Sequence, residues 1–205
     1  MLKIDIKSPD FLLSFGAKEL SRLCLELIEK YNFKLSKITG TERDELILKI
    51  VKRISEDKQI VGAPDRTEVW HNGWAENLEA FRSRPDAEDV LLPKFIKSNQ
   101  PIRWMKEYWW PENEQFEKNY IDVIRAYIFS EFMESCNTIY EFGAGTGHNL
   151  LAASEIYPEK RLVGTDFVQS SVDLIREIGE VKSINLESEI FDMLKPNQDL
   201  NLDSS

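Results

Sequence analysis

The chain has 205 residues, room for one domain with a substantial core plus a smaller second unit, since domains cluster around ~100–150 residues. A hydrophobic fraction of 42% with 11% aromatics argues against disorder, and 30% charged residues suit a protein that stays in water. The net charge of -10 offers no attraction to nucleic-acid phosphates or anionic membranes, which reward clustered Lys and Arg, so neither is an expected partner. The charge is uneven: residues 1 to 60 carry 12 Lys or Arg against 10 Asp or Glu, and the remainder is acidic, a composition shift that points to two units.

The only cysteines are Cys24 and Cys136, with no CxxC spacing, and the polar start MLKIDIK lacks the character of a signal peptide. No apolar run approaches the ~20 residues that span a bilayer. These features predict a cytoplasmic protein in a reducing compartment, without a metal site.

From Phe11 to Tyr31 the residues Leu20, Leu23, Cys24, Leu27, Ile28 and Tyr31 follow the i, i+3, i+4, i+7 spacing of one buried helix face, which places Cys24 in the core. Thr41 to Ile54 repeats the pattern with Leu46, Ile47, Ile50, Val51 and Ile54, opened by a capping signal in Thr41 and Asp44, and the two helices are predicted to pack together. Pro64-Asp65 opens a third helical stretch, RTEVWHNGWAENLEAF, with Val69, Trp70, Gly73, Trp74, Asn77, Leu78 and Phe81 on one side and Gly73 marking a close approach. Pro85, Pro93, Pro101 and Pro111 break the next segment into a loop that carries one short strand or turn in IRWMKEYWW. Residues 113 to 134 read as a long helix with Phe116, Tyr120, Val123, Ile124, Tyr127, Ile128 and Phe132 inward.

The last third alternates: strand TIYEFG, helix HNLLAASEIY, strand RLVGTD, helix VQSSVDLIREIG, strand SEIFDM. Such alternation predicts an α/β unit with parallel strands and crossover helices. The division expected is a helical N-terminal unit over 1–110 and a nucleotide-cofactor half over 111–205.

Ile139 to Phe142 lead straight into Gly143, Ala144, Gly145, Thr146 and Gly147, after which a helix begins. A turn this tight needs residues without a Cβ, and it brings backbone N–H groups and a helix N-terminus toward a ligand. Asp166 ends the next strand, 19 residues past Gly147, where an acidic side chain can accept hydrogen bonds from a ribose diol. The spacing is G-x-G-x-G with His148 next, whereas a dinucleotide fingerprint is G-x-G-x-x-G, and Glu141 stands two residues before the first glycine. A carboxylate there would repel a pyrophosphate and suits a cofactor that carries positive charge.

These residues resemble the first motif of class I S-adenosylmethionine-dependent methyltransferases. The resemblance implies that the loop backbone holds the methionine portion, that Glu141 meets its ammonium group directly or through water, and that Asp166 holds the ribose. It further implies that Asp192 and Met193, at the end of the third strand, read the adenine, and that Phe142, Asn149 and Phe167 line the cofactor. The match covers about residues 113 to 196. By family resemblance the sheet is Rossmann-like with seven strands, of which this chain supplies the first three, so an incomplete methyltransferase domain is expected. A second chain or a homodimer would then cover the open sheet edge. The acceptor is expected to be a small molecule, and no catalytic base is assigned, His71 being the one candidate among the N-terminal residues.

Other readings stay open. A nicotinamide or flavin oxidoreductase would use a similar fold, and a binding or regulatory subunit could keep the glycine loop without catalysis. Asp192 could instead cap a turn at the strand end. Trp70, His71, Asn72, Trp74, Glu76 and Asn77 could line a pocket or divide into core tryptophans and surface polar residues. Trp104, Tyr108, Trp109 and Trp110 are expected to pack between the two units.

Overall fold

The computed structural model describes residues 2–56 and 66–196. The Pro64-Asp65 helix start and the polar tail after Pro196 lie outside the described residues. The protein is mixed α/β and divides into two compact units, each built from two stretches of chain: Met1–Val61 with Phe95–Glu131, and Gly62–Lys94 with Phe132–Ser205. A single cut at residue 110 is therefore not where the chain divides, because the helical stretch around Trp74 joins the C-terminal unit and IRWMKEYWW joins the N-terminal one.

The N-terminal unit is not purely helical. Strands β1 (Lys3–Asp5), β2 (Lys34–Lys37), β3 (Ile102–Trp104) and β4 (Glu107–Pro111) form an antiparallel sheet in the order β1-β2-β4-β3. Strands of three to five residues are too short for their alternation to stand out in the sequence. The helix expected over 11–31 is two: α1 (Ser8–Phe15) stops at Gly16, whose φ of +64° gives a left-handed cap, and α2 (Arg22–Lys30) starts where the Ser21 hydroxyl accepts the Cys24 N–H at 3.3 Å.

Phe11, Phe33, Leu35, Trp109, Phe116 and Val123 form the core of this unit, with Tyr120 and Trp104 packed against it. The rings meet edge-on or offset: Phe11 and Phe33 lie 5.1 Å apart at 71°, and Phe33 and Phe116 lie 5.4 Å apart at 88°. Burying each phenyl ring contributes about 1.5–3 kcal/mol. Trp109 thus belongs to this core and donates its indole N–H to Trp104 O at 3.1 Å, while Trp110 is partly exposed and donates to Glu42 at 2.7 Å. Helix α3 (Gly40–Glu56) carries no buried residue, and Val51 and Ile54 of its apolar stripe are exposed, so the expected burial of this helix against its predecessor is not seen. Helix α5 (Phe116–Phe132) buries Phe116, Asn119, Val123, Ala126 and Phe129, and Ile128 and Phe132 face outward instead.

The C-terminal unit holds a parallel sheet in the order β5-β6-β7, from Thr138–Phe142, Arg161–Asp166 and Leu186–Ile190, with helices α6 (His148–Ile156) and α7 (Gln169–Lys182) as the connections. Among the described residues β5 is paired on one side only. Gly164 in the middle of β6 lets both helices approach: a Cβ there would lie 2.9 Å from side-chain carbons of Leu150 and Ile175. Helix α4 (Arg66–Ser83) lies along α7, fastened by the Arg82 guanidinium on the Glu177 carboxylate and by the Ser170 hydroxyl, which donates to His71 O at 2.8 Å. The third strand ends at Ile190, two residues before Asp192, although the Phe191 N–H still bonds Asp166 O at 2.9 Å.

Candidate functional site

The residues marked in the sequence converge at the C-terminal ends of the three parallel strands, where open α/β sheets bind ligands. Gly143, Gly145 and Gly147 take φ of +72°, +57° and +70°, a run of left-handed positions that only glycine adopts without strain. This run reverses the chain within five residues and starts α6 directly at Gly147. Most of the turn's donors are consumed inside the protein. Gly143 and Ala144 donate to Thr165 O at 2.8 and 2.9 Å, and Gly147 donates to Ala144 O at 2.9 Å.

Asp166 completes this internal bonding. It is 3% exposed, and its carboxylate accepts the Gly145 N–H at 3.0 Å and the Val168 N–H at 3.1 Å. The acid at the end of β6 therefore ties the glycine turn to the start of α7. The expectation that the turn aims its N–H groups at a ligand does not hold for Gly143, Ala144, Gly145 or Gly147, whose N–H groups bond within the protein.

Protein side chains close the inner half of the turn. Ala144, Gly145, Thr146 and Gly147 are buried, the Thr146 hydroxyl donates to Leu91 O at 2.7 Å, and the Ser171 hydroxyl donates to Gly145 O at 2.6 Å. A Cβ at Gly145 would lie 3.0 Å from the Trp74 ring, so the glycine makes room for the benzo edge of the indole. Trp74 stacks on the partly exposed Trp70 at 5.8 Å and 25°. The close approach thus falls at Gly145, since nothing lies within 4 Å of a Cβ at Gly73. Trp74 and Ser171 were not legible as neighbours of the glycine turn, because each meets Gly145 from a separate helix, distant along the chain.

The outer half is open. Phe142, Gly143, Asn149, Phe167 and Met193 are exposed, and Glu141 and Asp192 are half-buried. Asn149 donates its side-chain amide to the Glu141 carboxylate at 2.7 Å, fixing that acid beside the turn. Phe142 and Phe191 meet edge-on at 5.5 Å and 62°, and the Met193 methyl lies 3.6 Å from where a Gly143 Cβ would be. Asp192 accepts the Leu194 N–H at 2.9 Å and so caps the turn after β7. His71 is exposed on α4, and Glu76 forms an ion pair with Lys94 on the surface, while Asn77 is buried and donates to Val90 O at 2.7 Å.

Chemically, the site offers the Glu141 carboxylate, held by an amide, and the Asp192 carboxylate beside exposed apolar surface from Phe142, Phe167 and Met193. Such a combination is chemically suited to a ligand with a cationic end and a flat apolar body. Among the described residues no group of three potential metal ligands occurs, and no helix is long and apolar enough to cross a membrane. No protein-family model matches the chain, and no curated protein matches it.

Proposed function

We propose that the C-terminal unit is a Rossmann-like unit that binds S-adenosylmethionine, and that the protein takes part in methyl transfer to a small molecule. The observation that carries this reading is the left-handed glycine turn between β5 and α6, set beside Glu141 and open only at Phe142 and Gly143. Its donors at Gly143, Ala144, Gly145 and Gly147 are already engaged, which suits a cofactor read by shape and by carboxylate more than one held by a pyrophosphate. The same fact weighs against a nicotinamide or flavin dinucleotide.

In this reading Glu141, oriented by Asn149, receives the cationic amino-acid end of the cofactor. Phe167 and Met193 supply apolar surface for the base, and Asp192 stands at its edge. Asp166 acts on the cofactor through the shape of the turn, with any contact to the ribose made in addition to its two backbone bonds. Bound S-adenosylmethionine supplies the sulfonium methyl group, and the protein's share is positioning and exclusion of water.

Calorimetric titration with S-adenosylhomocysteine and, separately, with NAD tests the proposal. Saturable binding of the former with none of the latter is expected, and Glu141→Gln weakens it by about tenfold, the value of one charge-assisted hydrogen bond. Binding of NAD in preference to S-adenosylhomocysteine overturns the assignment. A second reading, a cofactor-holding subunit without catalysis of its own, is favoured by the exposed and unsupported position of His71, the one candidate base. Methyl transfer by a copurified complex but not by the isolated chain distinguishes it.

A further inference from the structure

The N-terminal unit contains an open cavity of about 430 Å³, a cleft in its surface, that the cofactor reading does not use. Its walls include Ile102 and Trp104 of β3 and Phe116 and Tyr120 of α5. The planes of Phe116 and Tyr120 lie within 7° of each other at 6.1 Å, and Trp104 meets Tyr120 edge-on at 5.7 Å. Rings packed on one another in this way form one aromatic wall, on which a planar guest gains by offset or edge-on contact. The volume falls in the range of small-molecule sites, ~300–1,000 Å³.

Charge narrows the class further. Lys97 and Arg103 also line the cavity, and neither has an ion-pair partner among the described residues. Glu117 is the one lining carboxylate, and it accepts the Lys97 backbone N–H at 3.1 Å. Two cations against one carboxylate leave a single positive charge, in a protein whose net charge is -10.

The sheet edge adds a directional donor. Strand β3 is the outer strand of its sheet, and the hairpin to β4 turns through Met105 and Lys106, both at positive φ (46° and 68°), as in a two-residue mirror-image turn. Such a turn makes Trp104 and Glu107 the hydrogen-bonded pair that closes the hairpin, so the next pair, Arg103 and Tyr108, is the non-bonded kind. The backbone N–H and C=O of Arg103 therefore point off the open edge, beside the cavity that Arg103 lines.

From these features we infer that the cavity binds a planar aromatic carboxylate, its ring against Trp104, Phe116 and Tyr120 and its carboxylate facing Lys97 and the guanidinium and backbone N–H of Arg103. This inference does not depend on the methyltransferase reading, since every residue it uses lies in the N-terminal unit.

The test is calorimetric titration of the full chain with 2-naphthoate, with its neutral amide, and with 2-naphthyl phosphate. Saturable binding of 2-naphthoate is expected, with the amide at least about tenfold weaker, the loss that follows from removing a charge-assisted hydrogen bond. Lys97→Gln and Arg103→Gln each weaken 2-naphthoate by about tenfold while the urea midpoint and the affinity for S-adenosylhomocysteine stay unchanged. Absence of saturable heat, equal affinity for the amide, or indifference to both substitutions overturns the inference. Tighter binding of the phosphate than of the carboxylate overturns the single-charge assignment.

Discussion

Replacing Asp166 by Asn removes one charge from a site where both carboxylate oxygens accept backbone N–H groups, from Gly145 at 3.0 Å and Val168 at 3.1 Å. The amide can keep one of these bonds, but whichever way it is turned it presents an NH2 group to the other N–H. Because the side chain is 3% exposed, water cannot repair the mismatch. A hydrogen bond to a charged group is worth ~1.5–3 kcal/mol net, and an unsatisfied buried donor adds to the loss, so the expected cost is about 2–4 kcal/mol. With a urea slope of about 2 kcal/mol/M, the unfolding midpoint falls by about 1–2 M. Urea titration followed by far-UV circular dichroism measures this, with Asp166→Ala as the companion variant that leaves both donors bare. A midpoint within about 0.2 M of the wild type would refute the claim that Asp166 ties down the glycine turn. If at the same time S-adenosylhomocysteine binding were lost, the carboxylate would serve the ligand directly instead.

Gly179→Ala would place a Cβ 2.5 Å from Leu186 O, forcing α7 away from the start of β7. The expected loss is about 1–3 kcal/mol of stability by the same urea titration, and a neutral substitution would contradict the close packing. The Arg82 guanidinium bonded to Glu177 holds that carboxyl below the usual carboxylate range. A depressed folded value means the pair's contribution is complete above the unfolded pKa of ~4.3 and is lost as pH falls through the folded value. Glu177→Gln is therefore expected to be slightly less stable than the wild type at pH 7 and to match it once the pH lies below the depressed folded value, whereas a gap that persists in acid would refute the linkage. Cys24 is fully buried, and burial pushes its thiol pKa up, while Cys136 is partly exposed. A colorimetric disulfide reagent at pH 8 is expected to titrate one thiol per native chain and the second only after urea is added, and rapid reaction of both would place Cys24 wrongly in the core.

Much of the C-terminal unit is legible in the sequence. Three apolar strand segments, two amphipathic helices between them and a glycine cluster directly after a strand specify one local arrangement, since each signal comes from residues close in sequence. The N-terminal unit was less legible. Its strands are three to five residues long, and β2 is joined to β4 across more than sixty residues of intervening chain, so no local period announces the sheet. The break between α1 and α2 rests on the left-handed conformation of Gly16 and on the Ser21 cap, signals easily overrun by a continuous apolar stripe.

The candidate site shows the same division. Glycines at 143, 145 and 147, with Glu141 before them and Asp166 at the end of the next strand, are determined by the sequence alone, because covalent order and the steric demand for positive φ place them together. Whether the turn's N–H groups face a ligand or the protein was decided only by tertiary structure. The Asp166 side chain turned inward, Thr165 O took two donors, and Trp74 of a helix more than sixty residues upstream covered Gly145. Sequence spacing constrains which atoms are near one another along the chain, whereas hydrogen-bond partners are chosen by competition among all groups that folding brings within reach, and that competition has no local signature.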